Sequence, residues 1–79
     1  MNLLTDDPAD IAERLSDRIR HRGTSYVYAK PSGQVTSHPV NDRRNNAMPA
    51  LWLIGAYRNP VDVAALLQDL LARRAELEP

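Results

Sequence analysis

The chain has 79 residues, no cysteine, and ten Lys+Arg against ten Asp+Glu, a formal net charge of zero. That length holds one small domain, and the missing cysteines exclude disulfides and thiolate metal sites. Charge balance removes any global attraction to nucleic acid or anionic lipid, so binding of that kind has to come from a local patch.

The opening residues, Met1 to Asp10, contain no basic stretch and only two consecutive leucines, and no apolar run approaches bilayer length. The expectation is a chain without signal peptide or membrane anchor, placed in the cytoplasm, where a cysteine-free composition fits. Nine of the ten cations are arginine. Arginine is the residue suited to planar, bidentate contacts with carboxylate or phosphate.

Asp7-Pro8 opens the first helical segment and Asn59-Pro60 the second. Each pairs a capping side chain with proline at the first helical position, where its missing N–H costs nothing. Asp10 and Asp62 follow three residues after these caps, and arginines close both segments, as the helix dipole favours. The pattern predicts a helix over 6–22, stopped by Gly23, and another over 59–76. Aligned at their prolines, the segments share Ala12/Ala64, Leu15/Leu67 and Asp17/Asp69, which common helix grammar explains without an internal repeat.

The two helices differ in their apolar faces. Val63, Leu66, Leu67, Leu70 and Leu71 have the spacing of a core helix. The first helix shows only Ile11, Ala12, Leu15 and Ile19, and charges cover the rest, which places it at the domain edge with one side in water. Arg14, Arg18 and Arg22 recur at four-residue intervals and form one basic ridge.

Between the helices the chain reads as strands, within 24–57. Thr24–Lys30 alternates and is rich in β-favouring types; Pro31-Ser32-Gly33 suits a tight turn; Gln34–Val40 returns, with Pro39 confining it to an edge or ending it. Pro49–Tyr57 is apolar on both alternating faces, which predicts a central strand buried on both sides. The fold class is α+β: a single small domain in the order α-β-β-β-α, with a three-stranded, mostly antiparallel sheet packed by two helices. If both helices cover one sheet face, the other face of strand three needs a cover of its own. This predicts a homodimer or a protein partner on an apolar interface of Trp52, Ile54, Tyr26 and Tyr28.

Strands two and three are joined through Asn41-Asp42-Arg43-Arg44-Asn45-Asn46, a stretch without an apolar residue. A solvated loop is enough to account for its asparagines, which tolerate turn conformations. Arg43, Arg44, Asn45 and Asn46 on so long a connection also suit contacts to an acidic surface or to phosphates. Both readings stay open from the sequence.

Catalytic and metal chemistry finds little support. Ser37 and His38 adjoin at a strand end outside any nucleophile motif, and His38 reads as a surface histidine. Two histidines seventeen residues apart lack metal-ligand spacing, and the isolated glycines 23, 33 and 55 form no phosphate cradle. No catalytic residue, metal or cofactor is expected. The α-β-β-β-α order resembles that of the double-stranded-RNA-binding domain, and Tyr26 and Tyr28 on one face resemble a base-stacking sheet. The start of the second helix, Asn59–Leu67, is acidic and apolar where those domains are lysine-rich. Leu51–Leu71 resembles the strand-helix signature of the SPOR domain, a peptidoglycan-binding module, over about a quarter of the chain and without that domain's other half-repeat.

The function these features favour is a small non-enzymatic protein-binding module, an adaptor or inhibitor of the kind encoded by phages and mobile elements. The alternative is a nucleic-acid-binding module that uses the Arg14, Arg18, Arg22 ridge and the 41–46 loop.

Overall fold

The structure, a computed structural model, describes residues 1–78. Helix α1 (Pro8–Arg22) begins as its local sequence dictates: Asp7 is extended and its carboxylate accepts the Ala9 N–H, with Pro8 in the first turn. It ends at Gly23, whose φ of 99° is open to glycine and whose N–H donates to the Ile19 carbonyl. The narrow stripe of Ile11, Ala12, Leu15 and Ile19 is fully buried.

Helix α2 (Val63–Leu77) starts later than the Asn-Pro pattern predicts. Its cap is Asp62, which accepts the N–H groups of Ala64 and Ala65. Tertiary partners take Asn59 away from the capping role. Its backbone N–H donates to Thr24 Oγ1 and its Nδ2 to the Arg20 carbonyl, both at 3.2 Å, and the Asn59–Pro60 peptide is cis. Asn59 thus ties the end of the sheet to the end of α1.

The strands β1 (Ser25–Ala29), β2 (Val35–Pro39) and β3 (Leu53–Tyr57) form an antiparallel sheet in the order β2-β1-β3. The third strand is therefore an edge strand, and β1 is the central one, which corrects the expectation from the apolar run at 49–57. Residues 49–52 are not strand either. Leaving β2 at one edge, the chain has to pass β1 to reach the other edge. It does so through two 3-10 turns, Arg43–Ala47 and Ala50–Trp52.

The apolar character of β3 has two sources other than central burial. Its pairing with β1 shifts between Val27 and Tyr28, so that Gly55 faces Val27, Leu53 faces Tyr28 and Ile54 is the extra residue of a bulge. Ile54 packs against the buried core. Tyr57 lies on the helix side, and its ring runs back over Gly55, where an added Cβ would stand 3.1 Å from Tyr57 Oη. That hydroxyl donates to Asp69 Oδ2 on α2 at 2.5 Å. Glycine at position 55 lets the ring lie flat enough to join strand and helix.

The core sits between the sheet and the two helices: Ile11, Leu15 and Ile19 from α1, Leu66 and Leu70 from α2, Val27, Ala29, Val35 and Tyr57 from the sheet, and Leu3 from the N-terminal segment. The opposite sheet face is closed by the crossover. Tyr28 is only 5% exposed, its Oη donates to Asn45 Oδ1 at 2.9 Å, and Asn45 Nδ2 donates to the Pro39 carbonyl at 2.7 Å. The bare apolar sheet face on which a dimer interface was expected is thus covered in large part by the chain's own 40–52 segment.

Both sheet edges are blunted as well. On β2 the Val35 N–H donates to the Met1 carbonyl, Asn2 bridges to Gln34, and Pro39 has no N–H to offer. On β3, Arg73 of α2 donates from Nη1 to the Leu51 carbonyl (2.9 Å) and from Nη2 to the Leu53 carbonyl (2.7 Å).

Candidate functional site

Of the six residues 41–46, three are committed to holding the crossover together. Asp42 caps the first 3-10 turn by accepting the Arg44 N–H at 2.9 Å. The Arg44 side chain returns to the same carboxylate, with Nη2 donating to Oδ2 at 2.7 Å and Nε to both oxygens. Those Arg44 hydrogen bonds, side chain first and backbone next, hold the Asp42 carboxyl down at about 2. Asn45 joins Tyr28 to Pro39. Arg43 and Asn46 stay exposed, without a side-chain hydrogen bond or ion pair among the described residues. The stretch is a built turn, neither a free loop nor a full set of gripping side chains.

His38 is not the surface residue it resembles in sequence. Its side chain is mostly covered, with Nδ1 3.9 Å from Asp42 Oδ2 and its ring 6.1 Å from that of Tyr28. Ser37 pairs with Val27 and is buried on the helix side, so it and His38 point to opposite faces and form no dyad. Two shallow grooves of about 170 Å³ and about 290 Å³ flank α2. Both fall below the usual range of small-molecule sites, roughly 300–1,000 Å³. Among the described residues, no three His, Asp or Glu side chains gather as a metal-ion set.

The expected interface residues are covered to different degrees. Tyr28 is buried and Ile54 lies against α2, lining a groove with Asp69, Ala72, Arg73 and Glu76. Tyr26 is half-buried with its ring 6.4 Å from that of Tyr28, and Trp52 lies under the Lys30 ammonium at 5.6 Å. Leu51, which begins the connection into β3, is 70% exposed.

Arg14, Arg18 and Arg22 are all exposed and have no ion pair among the described residues. Glu13, Ser16, Asp17 and Arg20 line a groove with Val63 of α2, so helical spacing puts the arginine row on the opposite flank of α1, towards the β2 edge. The Arg43–Ala47 turn is anchored to Pro39 of that same strand.

A further surface escaped sequence reasoning. The spacing of Val63, Leu67 and Leu71 suggests core positions, yet α2 fully buries only Leu66 and Leu70. Leu71 is 47% and Val63 38% exposed, Leu67 is half-buried, and Ala64, Ala65, Ala72 and Ala75 face outward. The outward side of α1 shows nothing apolar beyond Ala9. The signal was present in the sequence: α2 is apolar over a wider arc than one sheet face covers.

No helix of the described residues is long and apolar enough to cross a membrane. No protein-family model, curated protein or solved structure matches the chain.

Proposed function

We propose that the protein is a protein-binding module whose docking surface is the outer face of α2. The observation that carries this reading is Leu71, half-exposed in the middle of a helix and bordered at helical spacing by Ala64, Leu67, Gln68 and Ala75. Small side chains let a partner backbone approach, and a leucine among them supplies an anchor. The neighbouring helix, on the same sheet face, is charged throughout its outward side. The apolar surface is thus local to α2 rather than a general property of a small, poorly covered domain. With the sheet face crossed by 40–52 and both edges blunted, the outer face of α2 is the surface offered to a partner, a second copy of the chain included.

The test places a photo-crosslinking residue at position 71 and, as a control, at the exposed Glu13 of α1, and follows the mass of the unmodified protein by light scattering over a wide concentration range. The expected result is a defined adduct from position 71 and none from position 13. Leu71→Glu should abolish the association while leaving the melting temperature unchanged. Equal labelling from both positions, or association indifferent to Leu71→Glu, refutes the reading.

A further inference from the structure

We infer that the flank of α1 bearing Arg14, Arg18 and Arg22 docks the phosphate backbone of a nucleic acid, through a surface separate from the α2 face. Four of the other arginines are engaged, Arg44 by Asp42, Arg74 by Glu78, Arg73 by two carbonyls and Glu76, and Arg20 by Asp17 at 3.9 Å, while Arg43 and Arg58 are exposed without such partners among the described residues. The three on this flank keep their guanidinium groups in water. Four residues of helix rise about 6 Å, so the row spans about 12 Å. Arg43 lies apart from this row, in the crossover turn that Asn45 fixes to Pro39.

The kind of partner follows from what the flank lacks. α1 exposes no apolar side chain larger than alanine, so a protein partner would find no apolar anchor here, and exposed ion pairs alone contribute little. A nucleic acid needs no such anchor, because neutralising its phosphates releases counterions and supplies the affinity. Arginine also matches phosphate geometry. Asp7 and Asp10 stand at the N-terminal end of the helix and repel phosphates, which centres the contact on Arg18 and Arg22. No base platform adjoins the row: Tyr28 is buried, and Tyr26 lies half-buried on the sheet face turned away from α1. Binding is therefore to the backbone, without sequence preference.

The experiment is fluorescence anisotropy with labelled duplex DNA and duplex RNA of unrelated sequences, from low to moderate salt, with an acidic peptide as a parallel probe. Two to three phosphate contacts predict a log–log salt slope of about −1.8 to −2.7, a fall of roughly 60- to 500-fold for a tenfold rise in salt. Arg14/Arg18/Arg22→Gln should remove nearly all of that binding while its circular dichroism and melting stay those of the parent. Leu71→Glu should bind the duplexes normally, which keeps this surface distinct from that on α2. The inference is overturned if the parent fails to bind at low salt, if the triple variant binds as the parent does, or if the acidic peptide binds as tightly as the duplexes.

Discussion

Adjacent Asn45 and Asn46 allow a sharp test of how the crossover is held. Both are exposed-looking asparagines in the sequence, and only Asn45 connects two strands. Its Oδ1 is the partner of the Tyr28 hydroxyl, on a ring that is nearly buried, and its Nδ2 is one of two donors to the Pro39 carbonyl, the other being the Asp42 N–H at 2.9 Å. Asn45→Ala strands the hydroxyl, at about 1–3 kcal/mol for a buried unsatisfied group. The Pro39 carbonyl keeps its second donor, so that loss adds only about 0.5–1 kcal/mol. The sum, about 1.5–4 kcal/mol, is a large part of the roughly 4–12 kcal/mol that a domain of this length commands.

At about 4–8 °C per kcal/mol for a domain this small, the melting temperature should fall by roughly 6–32 °C. Asn46→Ala, one residue further on, should stay within about 0.5 kcal/mol of the parent. A double-mutant cycle completes the case. Tyr28→Phe removes the donor, so adding Asn45→Ala to it should cost at least about 1 kcal/mol less than Asn45→Ala costs alone. Urea and thermal denaturation followed by circular dichroism supply all four free energies. If Asn45→Ala and Asn46→Ala melt together, or if the cycle shows no coupling, the crossover is not fastened in this way and the covered sheet face loses its physical basis.

Three further outcomes follow from the same geometry. The Asp42 carboxyl lies near 2 in the folded chain against an ordinary 3.8, so its stabilising contribution is complete above about pH 4 and disappears as pH falls towards 2; an NMR titration should show this, and Arg44→Gln should return the midpoint towards the ordinary value. Tyr57 is shifted upward by burial and then by its Asp69 partner, so its contribution is complete below pH 10 and is lost as alkalinity rises; its phenolate should be the last of the three tyrosines to form, and Tyr57→Phe should remove that final step. Arg73→Ala frees the Leu51 and Leu53 carbonyls and should cost about 1–2 kcal/mol, with the loss of amide-exchange protection confined to β3 and the turn before it.

The parts of this fold that were legible in the sequence are those set by neighbouring residues. Asp7-Pro8 makes a helix start because the cap and the proline act within one turn, and Pro31-Ser32-Gly33 makes a hairpin for the same reason. Asn59-Pro60 has the same appearance and a different fate, because Thr24 and Arg20, distant in sequence, claim Asn59. Strand order was illegible for a similar reason. An apolar run such as Pro49–Tyr57 reports how much surface is buried, not which neighbour buries it. Here the bulge at Ile54 and the ring of Tyr57 over Gly55 turn an edge strand towards α2, and Leu51 is left outside altogether. In 41–46 the composition announced polar contacts correctly, but the partners are mostly internal. Asn41, Arg43 and Asn46 remain for another molecule.

The arrangement of surfaces constrains how partners could share this domain. The strip on α2 and the arginine row on α1 lie on different flanks of one helix layer, separated by the groove of Glu13, Asp17 and Arg20. A partner seated on Leu71 leaves Arg18 and Arg22 in solvent, and a polyanion along α1 leaves Leu71 uncovered. Neither would compete with the other, and neither needs the sheet, whose second face and both edges are engaged by the chain itself. Coupling between the two surfaces would have to pass through α1–α2 packing, which is continuous apolar core. The two bindings should therefore be independent: saturating one surface should leave the affinity of the other unchanged within about twofold, since coupling requires two states that the ligands favour differently. A larger effect in either direction would mean that the helix layer moves, and that the two surfaces act as one.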